Sequence, residues 1–90
     1  MEPFRVLLVD DEVELIDRLV KRMKMRRVDV DGVNSGLDAL ALLDRKKFDV
    51  VVMDVKMPKM DGIETLREIK KRYRIIEVIM LTGHANVEVA

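Results

Sequence analysis

Apolar residues fall along this chain in two alternating rhythms: short unbroken runs, and stretches where they return every third or fourth position. The first run, Arg5 to Val9 (RVLLV), reads as a buried strand. Leu15, Ile16, Leu19, Val20 and Met23 then recur at helical spacing with charges between them. Val28 to Val33 (VDVDGV) alternates apolar and acidic residues, the pattern of an edge strand with one wet side. Asn34-Ser35-Gly36 is a capping and turn cluster. It opens a second helix over about Leu37 to Lys46, with Leu37, Leu40, Leu43 and then Phe48 facing inward. Val50 to Met53 is continuously apolar, which predicts a central parallel strand buried on both faces, and it ends on Asp54. Beyond Pro58, Asp61-Gly62 opens a third helix with Ile63, Leu66, Ile69 and Tyr73 on one stripe. Ile75 to Leu81 (IIEVIML) is a fourth strand, and Asn86 suits the cap of a fourth helix before the sequence stops at Ala90.

This β-α-β-α-β-α-β order with short loops predicts an α/β fold built on a doubly wound parallel sheet. Right-handed crossovers and a sheet order of 2-1-3-4 put the first helix on one face and the other two on the opposite face. Ninety residues make one small domain, 1–90. Lys plus Arg equals Asp plus Glu at 17 each, so no global field recruits nucleic acid or an anionic membrane. The basic group Lys21, Arg22, Lys24, Arg26 and Arg27 complements the end of the first helix, which explains it without a phosphate partner. There is no Cys, hence no disulfide framework and no thiolate metal site. No basic-then-apolar leader and no membrane-length apolar stretch is present, so the expected location is cytoplasmic.

The candidate chemistry lies where strands end. Asp10-Asp11 follows the first strand, Asp54 closes the third and Thr82 follows the fourth. Taken singly, Asp10-Asp11 is a helix cap, and Asp54 and Thr82 are turn residues. With strand one beside strand three, however, the three carboxylates converge at one mouth of the sheet. Like charges there repel and raise one another's pKa. A hard cation such as Mg²⁺, which takes carboxylate, carbonyl and water oxygens, relieves that repulsion and can offset phosphoryl charge. Asp54 is then placed as an oxygen nucleophile that forms an acyl phosphate, with the Thr82 hydroxyl donating to the phosphoryl group.

The stretches VLLVDDE (Val6–Glu12), VVVMDVKMPKMDGIE (ending at Glu64) and VIMLTGHA (Val78–Ala85) resemble the receiver domain of two-component response regulators, over essentially the whole chain. The resemblance implies a flavodoxin-like sheet and an aspartate, Asp54, that accepts a phosphoryl group from a sensor histidine kinase. It implies Mg²⁺ held by Asp10, Asp11, Asp54 and the backbone carbonyl of Lys56, and Thr82 as the switch hydroxyl beside the small Gly83. LTGHANVEVA is most similar to receivers of sigma-54-type activators, and His84 takes a surface role.

A full receiver has about five strands and five helices, so the resemblance implies a sequence one strand and nearly two helices short. The expectations that follow are phosphoryl transfer impaired by the missing fifth-strand lysine, and an exposed fourth-strand edge that makes a homo-oligomer. The chain is then a signalling module rather than an enzyme acting on an external substrate. An interaction module that works without phosphorylation, through the exposed fourth strand, is the alternative. A haloacid-dehalogenase-like phosphatase needs a DxD motif after its first strand. Here that strand ends in Asp10-Asp11-Glu12 with no acid at Val13, and Asp54 is followed by Val55-Lys56, which sets that reading aside.

Overall fold

The computed structural model describes residues 4–57 and 61–81. Four parallel strands, β1 (Arg5–Val9), β2 (Asp29–Val33), β3 (Val50–Asp54) and β4 (Glu77–Leu81), lie in the order β2-β1-β3-β4. Three helices connect them: α1 (Val13–Met25), α2 (Gly36–Leu43) and α3 (Gly62–Arg72). This is the doubly wound sheet and strand order expected from the sequence, and the residues expected in a fourth helix lie outside the described ones.

The two-residue period of β1 divides the core. Leu7 and Val9 point into the larger cluster with Val51, Met53, Leu40, Leu43, Phe48 and Ile69, under α2 and α3. Val6 and Leu8 point the other way, onto Ile16 of α1 and Val30 of β2. The helices therefore occupy the faces that the crossover rule assigns them. Val51 and Met53 are fully buried, but Val50 and Val52 are only half-buried. The central strand is thus covered on one face more than on the other, because α1 packs over β1 and β2 rather than β3.

Several element boundaries differ from the sequence pattern for local reasons. α1 ends when the Arg26 and Arg27 amides turn back to Met23 and Lys24, with Arg27 at φ 65°, a left-handed exit. The Val28 amide is spent on Met23, so β2 begins one residue late, at Asp29. α2 starts where the Ser35 hydroxyl accepts from the Asp38 amide (3.0 Å) and stops at Leu43, short of Lys46. Its inward residues are Gly36, Ala39, Leu40 and Leu43, while Leu37 is 56% exposed. In α3, capped by Asp61, the buried positions are Gly62, Thr65 and Ile69, and Ile63 points outward. β4 begins at Glu77 because Ile75 sits on the preceding turn, 93% exposed, while Ile76 folds into the core.

Candidate functional site

Parallel pairing of β1 with β3 sets Val9 beside Met53, so the next residues, Asp10 and Asp54, emerge together at the carboxyl edge of the sheet. Asp11 follows on the loop to α1. One carboxylate oxygen from each of Asp10, Asp11 and Asp54 lies within 4.8 Å of the others. Asp10 and Asp54 are half-buried and Asp11 is exposed. No Lys or Arg forms an ion pair with any of the three among the described residues.

Local hydrogen bonds hold this mouth open. The Asp10 amide donates to Val33 O (3.2 Å), and the Asn34 side-chain amide donates to Asp10 O (3.1 Å), fixing Asp10 from the end of β2. An Asp10 carboxylate oxygen accepts from the Glu12 amide (2.9 Å), so it supplies the first turn of α1 that Glu12 leaves without a side-chain cap. Both the capping role and the cluster role therefore fall on one residue. Partial burial pushes the Asp10 carboxyl above its ordinary value of 3.8. The Glu12 amide pulls it down, and the charges of Asp54 and Asp11 push it up again. Opposite, Asp54 Oδ1 accepts from the Lys56 amide at 3.4 Å. The Val55 amide donates to Leu81 O (3.0 Å), which fastens the loop to the end of β4.

Gly62 completes the site from below. Its amide donates to Val55 O (2.9 Å), and a Cβ there would stand 2.2 Å from Asp54 O. The sequence marked Gly62 only as the opening of a helix, yet its lack of a side chain lets α3 begin directly under the acid. The sequence pattern places Asn34 in a capping and turn cluster, with no sign of a bond to Asp10. The hold of Asn34 on Asp10 depends on β2 lying beside β1, a neighbour relation 24 residues apart in the chain.

Among the described residues the donor set fits a hard divalent cation: three carboxylates, with no imidazole beside them and no Lys or Arg paired to them. Neighbouring oxygens on six-coordinate Mg²⁺ are about 3 Å apart, so the three carboxylate oxygens, within 4.8 Å of one another, would draw together by up to about 2 Å to share one ion. Lys56, whose carbonyl was expected to join them, lies two residues past Asp54 on the same loop. Thr82, Gly83, His84 and Asn86 lie outside the described residues.

A family model for the response regulator receiver domain matches residues 6–90. The chain is 44% identical over 79 residues to a transcriptional regulatory protein, a CpxR homolog, of Haemophilus influenzae, covering 88% of this chain. It spans only 34% of that relative's length. Among solved structures it is similar to the response regulator protein TrrA from Thermotoga maritima in complex with Mg²⁺ and BeF. That likeness has a TM-score of 0.83 and 28% identity, over 94% of this chain and 74% of the other. It is also similar to a chain in the complex of histidine kinase ThkA with TrrA. There the TM-score is 0.85 with 28% identity, over 97% of this chain and 75% of the other.

Proposed function

Because the chain belongs to the response regulator receiver domain family, we propose that it is a phosphoacceptor signalling module that receives a phosphoryl group on Asp54. The observation that carries this reading is the meeting of Asp10, Asp11 and Asp54 with no Lys or Arg paired to them among the described residues. Receiver domains are signalling domains, and this chain acts on itself rather than on an external small molecule. Asp10, Asp11, Asp54 and the Lys56 carbonyl would hold Mg²⁺. When bound, the metal offsets charge on the transferred phosphoryl oxygens.

An Asp54 carboxylate oxygen attacks the phosphorus of a phosphohistidine. The phosphorus–nitrogen bond breaks, its electron pair returns to the imidazole, and that nitrogen takes up a proton. Asp54 is then an acyl phosphate. Its half-buried position at the end of β3 keeps it reachable from outside while the Val55–Leu81 hydrogen bond fixes the loop behind it. Thr82 follows Leu81, the residue paired with Asp54, and takes the role of the hydroxyl donor to the phosphoryl group.

A sensor histidine kinase is the proposed partner, supported by likeness to a chain of the ThkA–TrrA complex. The wording of residues 81–90 supports an effector of the sigma-54 activator type, and the location is cytoplasmic. The receiver reading covers residues 1–90, of which the family model matches residues 6–90. The half-exposed Ile79 and Leu81 on β4 support association of copies along that strand, which light scattering tests directly. A mass of one chain at micromolar concentration removes the oligomer from the account and leaves the phosphoacceptor standing.

The function itself is tested by intact-protein mass after incubation with phosphoramidate, a nitrogen-linked phosphoryl donor, and Mg²⁺. One added phosphoryl group is expected in the wild type and none in Asp54→Asn. An equal gain in both rejects the assignment.

A further inference from the structure

At the opposite end of the sheet from the three acids, the amino-terminal edge opens into a cleft of about 1140 Å³. Two connections wall it, one leading from α2 into β3 and one from α3 into β4. Six cationic side chains line it against two carboxylates, in a chain of zero net charge overall. Three of those cations are already engaged: Arg5 with Asp29 (3.1 Å), Lys46 with Asp31 (2.7 Å) and Arg72 with Asp44 (3.8 Å). Arg45, Lys47 and Arg74 are exposed and form no ion pair among the described residues. Apolar surface lies between them, with Ile75 at the rim, 93% exposed, and Phe48 and Ile76 buried behind it.

The geometry points to a docking site for a short acidic peptide segment carrying an apolar anchor. The amides of Arg45, Lys46, Asp49, Ile76 and Glu77 donate to carbonyls within the chain, whereas those of Lys47, Phe48, Arg74 and Ile75 make no such bond among the described residues. The long guanidinium and ammonium ends of Arg45, Lys47 and Arg74 add donors set well apart, which suit carboxylates spaced along a chain. The apolar strip at Ile75 supplies the patch that a leucine or phenylalanine side chain covers, the usual centre of a peptide contact. The acids at one pole and this basic cleft at the other make a strong dipole, which orients an acidic segment toward the cleft and away from the phosphoacceptor. The site does not depend on phosphorylation of Asp54.

The test is fluorescence anisotropy of a labelled peptide of alternating glutamate and leucine, titrated with the ninety-residue chain. Saturable binding that weakens with added salt is expected, with a fall of about tenfold or more in Arg45→Glu/Arg74→Glu. Lys24→Glu/Arg26→Glu makes the same charge change at the end of α1 and is expected to leave binding within about twofold. Amide shifts of the wild type on peptide addition should centre on Phe48, Tyr73 and Ile75, which keeps the proposal testable if a variant misfolds. Equal losses in both double variants would mean only general charge attraction and overturn it. So would ATP binding at this end in place of the peptide, or self-association through this end that the first variant abolishes while no peptide binds.

Discussion

Replacing Gly62 with Ala tests whether α3 is seated against the acid-bearing strand as closely as the backbone indicates. The added Cβ would meet Asp54 O at 2.2 Å, Val55 Cα at 2.8 Å and Val55 O at 2.9 Å. All three are backbone atoms, so no side chain can swing away. Comfortable contact lies near 3.5 Å, so the end of β3 or the start of α3 must yield by roughly an ångström. Overpacking of this kind costs about 1–3 kcal/mol, and contact with backbone places this case at the upper end, about 2–3 kcal/mol. For a domain of this size that is a fall of about 10–20 °C in Tm. Gly32 provides the comparison, since its Cβ would meet Ile16 Cγ2 at 2.4 Å and Val20 Cγ2 at 3.0 Å, both side-chain methyls on α1 rather than backbone. Those can shift with the helix, so Gly32→Ala should cost about half as much or less. Thermal denaturation followed by circular dichroism reads both. Mg²⁺-dependent stabilisation should also shrink in Gly62→Ala, where Asp54 is displaced, and persist in Gly32→Ala. A Gly62→Ala variant as stable as wild type, with unchanged Mg²⁺ response, refutes the close seating.

Four further outcomes are expected. Ile69→Ala removes a fully buried side chain from beneath the sheet and should cost about 2–5 kcal/mol, whereas Ile75→Ala should stay within about 0.5 kcal/mol; denaturant titration separates them. The sole tyrosine, Tyr73, donates to Asp44, which holds its phenol above the ordinary 10.0, so that bond stabilises the fold below about pH 10 and is lost as pH rises through the shifted value. Tyrosinate absorbance should titrate at lower pH in Asp44→Asn, and an unchanged midpoint rejects the bond. Asp10 is raised above 3.8, chiefly by burial, so the folded state holds its proton longer and ionisation costs stability. In EDTA the wild type should therefore lose Tm relative to Asp10→Asn as pH rises through the region just above 3.8, and parallel curves would contradict this. Finally, Asp11→Asn should raise Tm in EDTA by relieving repulsion and weaken Mg²⁺ binding by about tenfold or more, read by calorimetry.

The sheet and its acid mouth were legible because both depend on short-range signals: apolar runs of strand length, and acids placed immediately after them. Parallel order then converts adjacency of β1 and β3 into proximity of Asp10 and Asp54 without further information. Helix facing was less legible. Leu37 and Ile63 each occupy the first turn after a capping residue, where a stripe counted from hydrophobicity does not register how the helix lies on the sheet. Thr65 is fully buried in the stripe instead, its hydroxyl donating to Asp61 O (2.9 Å), so a polar side chain filled a position that hydropathy assigned elsewhere. Ile75 carried the apolar signal of a strand but lies in a turn. The basic cleft was invisible in the sequence because Arg45 and Lys47 come from one connection and Arg74 from another nearly thirty residues on.

In the proposed function the three carboxylates act as one cation site that serves phosphoryl transfer to Asp54. The most direct measurement is the initial rate of phosphoryl gain from phosphoramidate as a function of free Mg²⁺, in wild type and Asp11→Asn, with peptide mapping of the product. The rate should saturate with Mg²⁺, with a midpoint about tenfold or more higher in Asp11→Asn and a product on Asp54 in both. A rate indifferent to Mg²⁺, an identical midpoint in Asp11→Asn, or a product mapped to another residue would contradict it.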